Sequence, residues 1–173
     1  MRDSEVLGGA AKALAAAANH GGRPWDLAVA ELQSLRAGLL TKDVTNKAAR
    51  QAGIAPAARE VQAKFAAMDL AGWCDSAALI AAVAAAQAGG EPAARSAEDL
   101  REIAERFERN GGVIHSADVW LDAAEAWALA GNVSTARAAA AHARELAYCD
   151  GPPYTAKLYE DRADALLAGL KGE

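Results

Sequence analysis

Three histidines and two cysteines carry the widest chemical repertoire in this chain of 173 residues. A metal or nucleophilic site would have to be built from them. Such sites need several His, Cys or carboxylate groups at a spacing that lets them converge. His20 lies in a glycine-rich turn and His115 just ahead of a helical stretch. His142 is followed at three residues by Glu145, which is not the His-Glu-x-x-His arrangement of a zinc helix. Each therefore reads as a surface or capping residue. Cys74, beside Trp73, reads as core filler. A thiol nucleophile needs a base close by, and the sequence nominates none. Cys74 and Cys149 show no Cys-x-x-Cys or Cys/His spacing, and fit buried or free thiols in a reducing compartment. Glu102 and Glu105 sit among arginines on a solvated helix face, which does not suit a general acid–base pair. The expectation is no metal, no cofactor and no enzymatic activity.

The elements that must position these residues are helical. Alanine supplies 49 residues, aromatic residues make up 5%, and β-branched residues are sparse. Alanine is the best helix former, and a sheet lacks its usual material here. Small side chains let helices pack closely, with the few Trp, Phe and Leu residues filling gaps. The length suits one domain with a real core. The first residues carry Asp3 and Glu5 without a leucine-rich signal core, and the longest apolar run, 77–86, is about half a membrane span. The expected setting is cytoplasmic, without a membrane.

Period and punctuation place about nine helices, antiparallel to their neighbours across short loops. The first spans 4–19 and stops at Asn19-His20-Gly21-Gly22. Pro24 opens the next, with a stripe of Trp25, Ala28, Leu32, Leu35 and Leu39. A short helix over 44–52 breaks at Gly53, and another begins near Pro56 with Val61, Phe65 and Met68 inside. Gly72 stops it, and Asp75 or Ser76 caps a helix carrying Leu79, Ile80 and Val83. Gly89-Gly90-Glu91-Pro92 is the clearest loop and marks a candidate hinge at 89–95 within a single domain, 1–173. Ser96-Ala97-Glu98-Asp99 has the form of a capping box ahead of Leu100, Ile103 and Phe107. Glu102 with Arg106 and Glu105 with Arg109 are i,i+4 pairs on its outer face. Asn110-Gly111-Gly112 ends it, and a hairpin over 116–148 follows. Gly151-Pro152-Pro153 separates that hairpin from a last helix with Leu158, Leu166 and Leu170.

Trp120, Ala124, Trp127, Gly131, Ala136, Ala143 and Leu146 fall where a tetratricopeptide (TPR) hairpin places its large, small and turn residues. This stretch resembles a TPR unit, with Ala140 where a large residue is common and Tyr148 where proline is common. Val61, Phe65, Met68, Gly72, Ala77 and Ala84 repeat the spacing more faintly, at an offset that is not a multiple of about 34 residues. The resemblance implies an all-α chain of TPR-like hairpins stacked as a short α-solenoid, with Trp120 and Trp127 in the core. The segments 103–107, 122–126 and 143–147 also resemble the helical-repeat region of actinobacterial LuxR-type (MalT-like) regulators. No GxxxxGK[ST] segment accompanies them.

In the TPR arrangement the first helix of each hairpin lines a concave groove. The resemblance then implies a partner-binding groove formed by Asp118, Leu121, Glu125 and Ala128. Acids there suit a protein or peptide partner with a basic and apolar segment, and not a chaperone-type carboxylate clamp. The leading expectation is a protein–protein interaction module in bacterial regulation or signalling. A second is a sensory domain holding a small apolar ligand between helices. A third arises from Arg36, Lys42, Lys47, Arg50, Arg59 and Lys64, a basic run in a chain of net charge −5. Within it, residues 45–61 resemble a helix-turn-helix with its turn at Gly53-Ile54. The helix that would read bases, however, places Glu60 at the groove, and the overall acidity disfavours nucleic acid.

Overall fold

The computed structural model describes residues 9, 12, 13, 16, 21, 23–40, 47–150 and 153–170. These contain seven helices and no strand: α1 (Pro24–Leu40), α2 (Lys47–Ala67), α3 (Ala71–Ala86), α4 (Gly90–Arg109), α5 (Val113–Leu129), α6 (Val133–Asp150) and α7 (Pro153–Gly169). The all-α expectation holds, with fewer helices described than the nine read from punctuation. Gly9, Lys12, Ala13 and Ala16 are helical, and the rest of the expected first helix lies outside the described residues. So do residues 41–46, 151 and 152. None of the described helices is long and apolar enough to cross a membrane. The chain divides into two compact units, 1–85 and 86–173.

In the first unit the α1 stripe is inside as the spacing requires. Ala28 and Leu32 are buried, and Trp25, Leu35 and Leu39 pack against the same core. Trp73 joins α3 to that core, stacked on Phe65 at 5.5 Å and edge-on to Trp25 at 6.1 Å. Gly38 permits a close approach of α1 to α2, since a Cβ there would stand 3.2 Å from the Ile54 side chain. The break expected at Gly53 does not occur: α2 runs through both Gly53 and Pro56. Its buried residues Ile54, Ala58, Val61 and Phe65 form one stripe across the proline, and this burial holds the two halves in line. Pro56 itself is exposed, where water can take the hydrogen bond its missing N–H cannot make.

The stop expected at Gly72 lies three residues earlier, at Asp69, which adopts φ 57°. Leu70 N–H donates to the Phe65 carbonyl and Asp69 N–H to that of Ala66, the two bonds of a Schellman cap. Gly72 lies inside α3, and the Ser76 hydroxyl donates back to its carbonyl at 3.0 Å instead of capping a helix start.

The second unit starts from a left-handed turn, Gly89 and Gly90 at φ 70° and 56°. The expected capping box at 96–99 is not a helix start, because α4 begins at Gly90 and Ser96 is buried within it. Ala93, Ala97, Leu100 and Ala104 are all fully buried, so the inner stripe extends two turns ahead of Leu100. Pro92 falls in the first turn, where an N–H would have no helical partner anyway. Residues 90–95 of the candidate hinge are thus helical. Phe107 is half-buried, and Glu105 holds both Arg109, at 3.7 Å, and Arg101.

Gly111 and Gly131, at φ 78° and 80°, make the turns α4–α5 and α5–α6 where the glycines were read. Asn132 then caps α6, its side-chain oxygen accepting from the Thr135 N–H and hydroxyl. The buried Ser116 hydroxyl donates to the Ala104 carbonyl at 2.9 Å and ties α5 to α4. In α7 only Ala163 is fully buried among the described residues, and Leu158, expected inside, is 55% exposed.

Candidate functional site

Helix α5 is touched by α4, α6 and α7. Ala117, Val119, Leu121, Ala123, Ala124, Ala126 and Trp127 are all buried, which leaves one narrow face uncovered by apolar packing. That face carries Asp118, Asp122 and Glu125, at i, i+4 and i+7 along one side of the helix. Arg162 of α7 reaches all three. Its Nη1 donates to Asp118 Oδ1 at 2.8 Å, its Nε to Glu125 Oε1 at 2.9 Å, and its Nη2 to Asp122 Oδ1.

The carboxylates differ in exposure. Asp118 and Glu125 side chains are 46% and 45% exposed, while Asp122, between them, is 19% exposed. Burial pushes the Asp122 carboxyl up from 3.8 to about 6; Arg162 pulls it down, and Asp118 and Glu125 add to the rise. For Arg162, burial works to lower the value, but Asp122 and Glu125 outweigh it and hold the guanidinium above its ordinary range. The two directions have different causes: burial prevails at Asp122, whereas Asp122 and Glu125 together prevail over burial at Arg162. Burial also raises the Tyr159 hydroxyl, with Asp118 adding to it.

Of the residues read as a groove, Asp118 and Glu125 thus share a face, and they share it with Asp122 and Arg162. Leu121 is fully buried in the core, and Ala128 is half-buried. The helix is turned so that Trp127, 4% exposed, is the deeper of the two tryptophans. Trp120, also expected in the core, is half-buried. Its indole N–H donates to Glu108 Oε2 at 3.4 Å, and its ring meets His142 edge-on at 5.0 Å. His142 Nε2 lies 3.4 Å from the same Glu108 oxygen, so one carboxylate ties α4, α5 and α6 together. Asp122 has a sequence signal, the helical period of its acidic neighbours. Arg162 has none, because it stands about forty residues away among Glu160, Asp161 and Asp164.

The remaining chemistry-bearing residues are dispersed among the described residues; His20 and the side chain of Cys149 lie outside them. Cys74 is half-buried with its thiol donating to the Gln62 carbonyl, and His115 packs against Phe107. No three His, Cys, Asp or Glu side chains converge as metal ligands among the described residues. A cleft of about 470 Å³ lies between α6 and α7, lined by Arg137, Arg144, Asp164, Leu167 and Ala168. Arg144 pairs with Asp164 there at 3.2 Å, and Arg137 donates to the Leu170 carbonyl. The turn expected of a helix-turn-helix at Gly53-Ile54 is replaced by the continuous helix α2. The chain matches no protein-family profile, and no curated protein or solved structure matches it significantly.

Proposed function

We propose that this chain is a non-enzymatic, TPR-like helical module that binds a protein or peptide partner in regulation or signalling. The observation that carries the reading is the packing of α7 on both members of the preceding pair, α5 and α6. Stacked helical hairpins make that next-but-one contact, and a continuous open face is its usual consequence. On this reading the face centres on α5. It offers Asp118, Asp122 and Glu125 against a single arginine, then Leu129, which is 46% exposed one turn beyond Glu125. A segment with basic and apolar residues complements that order of charge and surface.

The test is affinity capture from the source lysate at moderate salt, with three baits checked for helicity. They are the parent, Asp118→Lys with Glu125→Lys, and Arg162→Gln. Charge reversal abolishes capture of a specific partner if the acids face it, whereas Arg162→Gln leaves the acids free and retains or strengthens capture. Loss in both variants would mean that reversal acts by loosening α7, and unchanged capture in the reversed variant would remove the acidic face from the proposal.

A further inference from the structure

We infer that the contact between α5 and α7 is an electrostatic latch with two carboxylates in excess of its one guanidinium, and that protonation of Asp122 tightens it. The latch lies within the chain and needs no partner. Three carboxylates converge on Arg162, so with all of them ionised the cluster carries an uncompensated negative charge. Asp122 is the central and least exposed of the three. Its charge is the one with least water around it, and it is flanked by two like charges on its own helix.

Neutralising Asp122 removes that desolvation and repulsion. It leaves Arg162 its contacts to Asp118 and Glu125, and a protonated carboxyl still offers an oxygen to the guanidinium. The charged and titratable groups around Asp122 are Asp118 and Glu125 on α5, and Arg162 and Tyr159 on α7. From the other helices packed on α5, Glu108 of α4 and His142 of α6 are engaged with one another around Trp120.

The latch matters because, although α7 also packs on α6 with Arg144 paired to Asp164 and Arg137 donating to the Leu170 carbonyl, its apolar burial is slight. Ala163 is its one fully buried residue among those described, while Tyr159, Leu166, Leu167 and Leu170 are half-buried and Leu158 is exposed. The sign follows from linkage. Asp122 binds its proton more tightly with α7 docked than when water surrounds it, so docking is favoured as pH falls through about 6, complete below 3.8, and the gain is lost as pH rises through about 6. Acid therefore strengthens this contact, contrary to the loosening expected of a balanced ion pair.

The experiment is hydrogen exchange on the full chain at pH 7 and pH 5, corrected for intrinsic exchange, comparing the parent with Asp122→Asn. In the parent, protection of α7 amides rises about tenfold more between pH 7 and pH 5 than in Asp122→Asn, which lacks the titrating group. Equal pH dependence in the two proteins, or a fall in the parent alone, overturns the latch. A carbon-13 titration of the Asp122 carboxyl in the parent decides the matter even if the variant does not fold. A midpoint near 6 supports the inference, and one at or below 3.8 defeats it.

Discussion

At the scale of single residues, Arg162 and Trp127 do different work in the same unit. Trp127 fills space: at 4% exposure, truncation to alanine removes a large buried ring from a core made mostly of alanine. The neighbours have few atoms with which to collapse into the gap, so Trp127→Ala is expected to cost about 3–5 kcal/mol by denaturant unfolding. Trp120→Ala costs less, because the ring is only half-buried and its indole N–H is engaged at the long distance of 3.4 Å. An equal loss at both sites would mean that Trp120 is packed as deeply as the hairpin resemblance implies. Arg162 instead neutralises. Arg162→Ala strands Asp122 between two like charges and is expected to cost about 1–3 kcal/mol, more than Asp118→Ala or Glu125→Ala. Those two acids are nearly half exposed and water replaces what they lose. Single-mutant unfolding at neutral pH ranks the three.

At the scale of elements, the turns separate what local chemistry decides from what packing decides. Gly111 and Gly131 were legible because a residue at φ near 80° is almost always glycine. Asp69 was not legible as a stop, since it takes the same left-handed role without the residue type that announces it. The nearby Gly72 drew the boundary to itself. Asp69→Gly is accordingly expected to raise stability by about 0.5–1 kcal/mol, and Gly131→Ala to lower it by about 1–2 kcal/mol. Paired thermal melts check both, and a destabilised Asp69→Gly would show that the aspartate side chain stabilises the turn. Pro56 and Ser96 teach the converse. Both are strong local punctuation, yet each lies inside a helix because a buried stripe continues past it, Ile54 to Phe65 in one case and Ala93 to Ala104 in the other. The all-helical class, the inner faces of α1 and α4, and the acidic period on α5 could be read from spacing, whereas the inner face of α5 is turned from the expected one, with Leu121 buried and Trp120 half-buried. The closing of that face by Arg162 could not, because a contact between helices forty residues apart leaves no local period.

At the scale of the whole molecule, the charge balance sets what a nucleic-acid contact would require. Lys and Arg total 18 against 23 Asp and Glu, so any nucleic-acid contact would have to rest on a local basic surface. The run Arg36–Lys64 is the stretch that offers it, and the geometry of its described residues is unfavourable. Lys64 is engaged by Glu31, Arg59 is next to Glu60 with both exposed, and no turn separates a positioning helix from a reading helix within α2. Fluorescence anisotropy with a labelled duplex at low salt is therefore expected to show no saturable binding at micromolar protein. The same titration on Lys64→Glu is then equally flat. Binding that weakens steeply with added salt, and that Lys64→Glu reduces, would restore the basic run as a nucleic-acid surface. The slope of log affinity against log salt, about −0.9 per phosphate neutralised on B-form DNA, would count the contacts. A flat titration leaves the acidic face of α5 as the surface on which a partner of opposite charge is to be sought. Because that face already holds one arginine, a partner that binds there must outbid Arg162 or use the charge it leaves uncompensated. Its affinity should fall with salt, and, where it relies on Asp122 being ionised, fall again below about pH 6. Capture repeated at pH 7 and pH 5 checks this, since a partner that needs the Asp122 charge is lost at the lower pH.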